Sequence, residues 1–267
     1  MNAESIRVQS SDLCISNSSI SNPLGQGKEQ RGSNLKKPQQ GDMVLGHQAC
    51  AAQGSVVLGG MDRLRRGLSA LKPELRVLAM REALDRGETG LLLLLQTPFR
   101  EQAEQLFLLE TSLELWNRWR QQHLNVLVQF DLVDFSSNHL PGVDWRNTSL
   151  HKASLVDADL QQADLRNASL CEADLIGVNL QKANLQGADL SSADLRGANL
   201  QDADFTGAYL GWADLATADI RRANFSQADL HYACLRGTYL KGADFTDARM
   251  PDGHLNSFGT HYSSIEK

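Results

Sequence analysis

The sequence predicts a repeat solenoid joined to a small helical domain, and two patterns predict it. From Trp145 to Met250 every fifth residue is apolar, 22 positions in all, and a small residue precedes each by two places. Ahead of the repeat, Leu64, Leu68, Leu71, Leu75 and Leu78 step by four and three, the spacing of a helical stripe. Apolar residues make up 42% and charged residues 22% of the 267-residue chain, enough to bury a core. The net charge of −6 argues against direct nucleic-acid binding, which needs a basic surface for the phosphates. The longest apolar run, Leu91–Leu95, is far shorter than the roughly 20 residues of a membrane helix. No charged start followed by an apolar stretch marks the first residues, so a cytoplasmic protein without a membrane anchor is expected.

Four segments follow in order. Residues 1–60 are rich in Ser, Asn, Gln and Gly and lack apolar periodicity, so a disordered polar tail is expected. Residues 61–125 read as a helical domain covering the N-terminal end of the solenoid. Within it Pro73 opens a second helix and Gly87 stops it. Glu88–Gln96 forms a short apolar helix. Thr97-Pro98 then reads as a cap and first-turn proline of a long helix reaching about residue 124, with Leu106, Leu109, Leu113 and Trp116 on one face. Nine acids and ten bases are well mixed over this zone, so a small helical bundle with a solvated face is expected, a basic face for membranes or RNA at Arg63, Arg65, Arg66 and Arg76 being the alternative. Residues 126–250 carry the repeat, and residues 251–267 form a C-terminal cap or tail containing Leu255, Phe258, Tyr262 and Ile265.

Let i denote each residue whose number is divisible by five. The residue at i−2 is Ala in 18 of the 22 units, with Val143, Thr148, Val178 and Thr238 as exceptions, and 15 of the residues at i−1 are Asp or Asn. Gly recurs at i+2, as at Gly177, Gly187, Gly197, Gly207 and Gly237. On an α-helix a step of five turns about 140° net and scatters the leucines round the axis. On a flat strand it reverses the face each time and puts half of them in water. The pattern therefore requires a chain that turns one corner per repeat, with i and i−2 pointing inward and Gly or polar residues at the bends.

Runs such as Ala163-Asp164-Leu165-Arg166-Asn167 and Ala188-Asp189-Leu190-Ser191 resemble the pentapeptide-repeat family. The resemblance implies a mainly β protein, a right-handed quadrilateral β-helix with 20 residues per coil. It is firm over 141–250 and extends weakly back to about 126, where Asn138 would put a polar residue inside. Given 20 residues per coil, Phe205, Phe225 and Phe245 should stack on one side, above Trp145, Leu165 and Leu185. The Met250-Pro251-Asp252-Gly253 ending resembles that of several cyanobacterial members, and Pro cannot donate to a further coil.

The function expected from these features is a non-catalytic protein–protein interaction or assembly module acting as a scaffold. The partner is another protein, and a homodimer through an open solenoid end is an alternative assembly. Tyr209, Trp212, His231 and Tyr232 are the expected contact residues. Trp212 and Tyr232 differ by 20 and should lie one above the other, pointing outward. The resemblance implies a second reading, a DNA-mimic protein binding DNA gyrase or another topoisomerase. Residues 141–250 hold 15 acids against 10 bases, but 11 of the acids sit at i−1, where the repeat itself uses Asp. No catalytic, cofactor-binding or metal site is expected. No loop interrupts the repeat to form a cleft, and Cys14, Cys50, Cys171 and Cys234 show no C-x-x-C spacing.

Overall fold

The computed structural model describes residues 53–256. Five helices come first: α1 (Gln53–Leu68), α2 (Pro73–Leu84), α3 (Glu88–Gln96), α4 (Gln102–Thr111) and α5 (Leu113–Gln122). α1 starts inside the stretch expected to be a polar tail, and the remainder of that stretch lies outside the described residues. Buried Leu64 and Leu68 anchor its last turns. Once a turn is held by packing, further helical residues add at little cost.

The leucine stripe divides at Pro73. This proline opens α2 as expected, but it also resets the helical phase. Ala79, Met80 and Ala83 become the buried face, while Leu71, Leu75 and Leu78 are exposed. Gly67 marks the close approach of α1 and α2, since a Cβ there would lie 2.7 Å from Ala79 Cβ. Arg76 does not join a solvated face. Its guanidinium meets the buried Glu104 carboxylate and donates to Ala70 O at 2.7 Å, tying α2 to α4.

Glu88–Gln96 is helical as expected, but Thr97 ends that helix instead of starting the next. The Thr97 hydroxyl donates back to Leu93 O at 2.7 Å. Residues 98–101 run non-helically so that buried Phe99 can lie 6.3 Å from Trp119. The expected long helix is likewise two helices. Ser112 breaks it with extended backbone, and its hydroxyl accepts from Leu115 N to cap α5.

α5 sits across the start of the solenoid. Trp116 Nε1 donates to Asp144 O at 3.0 Å, and the Trp116 ring lies 5.7 Å from Phe130. Asn117 bridges the seam twice: its amide donates to Gly142 O and its oxygen accepts from Asp144 N, both at 2.9 Å. Fully buried Arg120 donates to Arg146 O and, at 3.3 Å, to Val126 O.

Strand β1 (Val128–Gln129) pairs in parallel with β2 (Thr148–Ser149), and from there each residue at i−1 bridges the one 20 further on, through Asp229↔Arg249. Four pentapeptides therefore make one coil. Residues at i and i−2 are buried from Val128 to Met250, apart from half-buried Leu240 and Asn138. Asn138 leaves the backbone register intact, because its neighbour His139 still bridges Asp159. The phenylalanine column forms as expected: Phe205–Phe225 centroids are 4.6 Å apart and Phe225–Phe245 5.3 Å, with rings nearly parallel. After Met250 the chain reverses. Met250 N donates to His254 O at 2.8 Å, and Arg249 pairs antiparallel with Leu255. Phe258, Tyr262 and Ile265 lie outside the described residues.

The corners explain the polar half of the repeat. The residue at i+2 adopts positive φ in most units, from Asn147 at 53° to Gly242 at 80°, the left-handed conformation that favours Gly. The Asp or Asn at i−1 accepts from the backbone N–H at i+1, as Asp189 does from Ser191 N at 3.0 Å. Where i+1 is Arg, the same carboxylate takes the guanidinium as well: Asp164 with Arg166, Asp194 with Arg196 and Asp219 with Arg221.

Two consequences are measurable. Asn117→Ala removes both hydrogen bonds that this residue makes across the seam, and the unfolding free energy in urea should fall by about 1–3 kcal/mol; an unchanged value would mean that these two bonds contribute nothing. Stability should also fall at acid pH. Hydrogen bonds from Arg196 and Arg221 hold the Asp194 and Asp219 carboxyls below the usual Asp range. For Asp164, burial works upward but is outweighed by hydrogen bonds from Arg166. The unfolded chain thus protonates these groups at higher pH than the folded one. Their contribution is complete above about pH 3.9, the ordinary Asp value, and is lost as pH falls through the lower folded values. Replacing Arg196 and Arg221 with Gln should flatten this acid limb in urea titrations at stepped pH.

Candidate functional site

One corner of the coil differs from the others. Going up the rod, its i+1 and i+2 residues are Asp131-Leu132, His151-Lys152, Cys171-Glu172, Ser191-Ser192, Gly211-Trp212 and His231-Tyr232. The backbone brings these pairs into register through bonds such as Lys152 N to Cys171 O at 3.1 Å and Trp212 N to His231 O at 3.0 Å. Side chains 20 apart in sequence therefore become neighbours on adjacent coils.

In the upper part of this corner Trp212 and Tyr232 stack, with centroids 4.2 Å apart and ring planes 33° apart. Both stay more than half exposed, at 65% and 53%. Both also occupy left-handed backbone, φ 64° and 62°, which is uncommon for a bulky side chain. His231 joins this pair from the side, its ring 3.6 Å from that of Tyr232. It is half-buried, with Nδ1 enclosed and unpartnered, and the turn at Gly253 lies against it: a Cβ there would lie 3.3 Å from His231 Cε1. His231 thus packs between Tyr232 and the Gly253 turn. Tyr209 is exposed at i−1 of the same unit as Trp212, its backbone bridging Asp189 and Asp229, and no aromatic ring among the described residues lies against it. Tyr239 is exposed in a different column, above Asp219.

The lower part of the same corner holds a constellation that reading the sequence by local motifs does not join. Ligand-type atoms of His151, Cys171 and Glu172 all lie within 4.8 Å of one another. The signal that finds them is the 20-residue step from His151 to Cys171, which acquires meaning only once the coil length is known. Among the described residues no helix is long and apolar enough to cross a membrane.

Comparison with known proteins agrees with this geometry. The family model described as pentapeptide repeats matches in overlapping segments, 129–167, 153–191, 173–211, 183–222 and 208–247. A solved pentapeptide repeat protein from Nostoc PCC 7120 is 39% identical over 33% of this chain and 73% of that one, with a TM-score of 0.31. HetL, a pentapeptide repeat protein involved in heterocyst differentiation regulation in the cyanobacterium Nostoc sp. strain PCC 7120, is 31% identical over 48% of this chain and 76% of that one, TM-score 0.22. A pentapeptide repeat protein of the Arabidopsis thaliana thylakoid lumen is 27% identical over 48% of this chain and 70% of that one, TM-score 0.19. Among curated proteins nothing matches. Its strict five-residue phase, its 20-residue coil and its match to the pentapeptide-repeat model place this chain in the pentapeptide-repeat family, with the family's right-handed quadrilateral β-helix and five N-terminal helices ahead of it.

Proposed function

We propose that this protein is a non-catalytic interaction module, which presents the corner around Trp212 and Tyr232 to another protein. The observation that carries the reading is the exposed Trp212–Tyr232 stack on left-handed backbone. The fold itself would accept Gly at both positions, as it does at Gly207 and Gly237. Large aromatic side chains kept in solvent at such positions supply rigid contact area at low entropic cost, which is what protein interfaces use. Tyr209 adds an exposed ring in the same pentapeptide as Trp212, and His231 packs against Tyr232.

The repeat offers little support for an enzyme. No loop interrupts the repeat between residues 128 and 250 to enclose a cleft over a corner, and an enclosed cleft is where catalytic groups usually sit. The DNA-mimic reading, with gyrase or a topoisomerase as partner, is also less well supported. Asp144, Asp164, Asp194 and Asp219 each pair with the arginine two residues on, and Asp202 pairs with Arg222, so the acidic faces are locally neutralised.

Trp212→Gly together with Tyr232→Gly tests the proposal. Relief of left-handed strain at two residues, about 2–4 kcal/mol, should outweigh the lost ring contact of about 0.5–1.5 kcal/mol, so the thermal midpoint should not fall below wild type. Proteins captured by the wild-type chain should be retained at least about tenfold less by the double variant, the loss expected of a central aromatic contact. Equal capture by a folded double variant would remove this corner as the contact surface.

A further inference from the structure

We propose that His151, Cys171 and Glu172 form a binding site for a borderline-soft divalent cation, Zn²⁺ being the ion their chemistry fits best. The three side chains belong to two adjacent coils, and their ligand-type atoms already lie within 4.8 Å of one another. Around a tetrahedral ion with bonds of about 2.0–2.3 Å, ligand atoms sit roughly 3.4 Å apart. Closing the set therefore needs about an ångström of side-chain movement. Glu172 can supply it, because it is exposed on a flexible stem, whereas His151 and Cys171 are half-buried and stay close to their backbone register. An imidazole, a thiolate and a carboxylate select zinc-like ions over Ca²⁺ and Mg²⁺, which require oxygen ligands alone.

The surroundings define how the site works. Lys152 Nζ lies 3.2 Å from Glu172 Oε2 and holds that carboxylate until a cation replaces it. Asp131 accepts the backbone N–H of His151 at 3.1 Å and fixes the start of this corner. Burial pushes the Cys171 thiol up, the nearby Asp189 and Glu172 charges push it further, and Lys152 opposes them. Without a cation the sulfur is thus a neutral thiol. As the sulfur–metal bond forms, the thiol proton passes to solvent and the dipositive ion balances the thiolate and the Glu172 carboxylate. Three protein ligands leave the fourth position to water or to a donor from outside. The site lies two coils below Trp212 on the same corner, about 10 Å along the rod, and stands independently of the interaction proposed there.

The test uses the full chain with Cys14, Cys50 and Cys234 replaced by Ser, so that Cys171 is the one thiol. Co²⁺ is titrated in as a spectroscopic substitute for zinc, and Zn²⁺ is then added to displace it. A thiolate-to-cobalt charge-transfer band saturating at one equivalent is expected. His151→Gln and Glu172→Gln should each weaken the affinity at least about tenfold, since even outer-shell changes cost that much. Lys152→Met should tighten it, because the competing ammonium is gone. Far-UV circular dichroism confirms that each variant is folded. Absence of the band at millimolar Co²⁺, or a band whose midpoint is the same in folded His151→Gln, would overturn the proposal, the second result leaving simple thiol binding as the explanation.

Discussion

The structure depends on the hydrogen bonds between coils. Leu165 N donates to Asn184 O at 2.7 Å, and Asp164 N donates to Val143 O at 2.9 Å, so each unit bonds both to the coil above and to the coil below. The offset is fixed at 20 residues. A slip of one residue would turn the i positions out of the core, which no water-soluble solenoid of this length can tolerate. A slip of five is subtler, because leucines would still face inward. It would, however, make a coil of 15 or 25 residues and misalign the phenylalanine column. The Asp159–Asn179–Asn199 ladder would break too, in which each asparagine amide donates down the rod at 3.2 and 3.0 Å. Side-chain columns thus guard the register that backbone bonding alone would leave degenerate.

A stack of coils has two ends, and each leaves backbone groups without a partner. The chain treats them differently. At the start, α5 lays Trp116, Asn117 and Arg120 over the first coil and satisfies carbonyls at Gly142, Asp144 and Arg146. At the other end the strand folds back on itself. Asn256 N donates to Ala248 O at 2.9 Å and Asp247 N to Asn256 O at 3.0 Å, an antiparallel return against the last coil. The reversal depends on Gly253, at φ 83°, directly after Pro251 and Asp252.

Much of this was legible in the sequence because the repeat is read by phase, and a phase kept over 22 units leaves one geometry. Pro73 and the span Glu88–Gln96 were legible for local reasons, a fixed proline φ and an uninterrupted apolar run. The misreadings were tertiary. Thr97-Pro98 has the chemistry of a helix start, but burying Phe99 against Trp119 keeps the next four residues out of a helix. Ser112 splits one periodic stretch into two helices, because a serine that reaches its own chain's N–H competes with helix continuation. The leucines of α2 follow a stripe that the neighbouring helices do not cover. The Trp212–Tyr232 stack could be read from a difference of 20, whereas the enclosure of His231 could not. Gly253 reaches that ring only through the chain reversal, and no periodicity encodes it.

The repeat leaves little freedom for function, and where it leaves some is a matter of backbone chemistry. Positions i and i−2 are committed to the core, and i−1 to capping the turn. Only i+1 and i+2 face water without a prescribed partner, and i+2 favours Gly because its φ is positive. A non-Gly residue there costs about 1–2 kcal/mol in left-handed backbone strain, so its side chain must do something to compensate. Arg222 does so by a paired contact with Asp202 one coil below, at 2.6 and 2.7 Å. Trp212 does so by stacking on Tyr232, a contact of about 0.5–1.5 kcal/mol. Left-handed backbone at both aromatic residues costs about 2–4 kcal/mol, so this one contact offsets only part of it, while an Arg–Asp pair is satisfied within the protein and presents nothing further. Folding alone does not account for two aromatic residues at these positions, and their outer faces stay free to be shaped by whatever they meet.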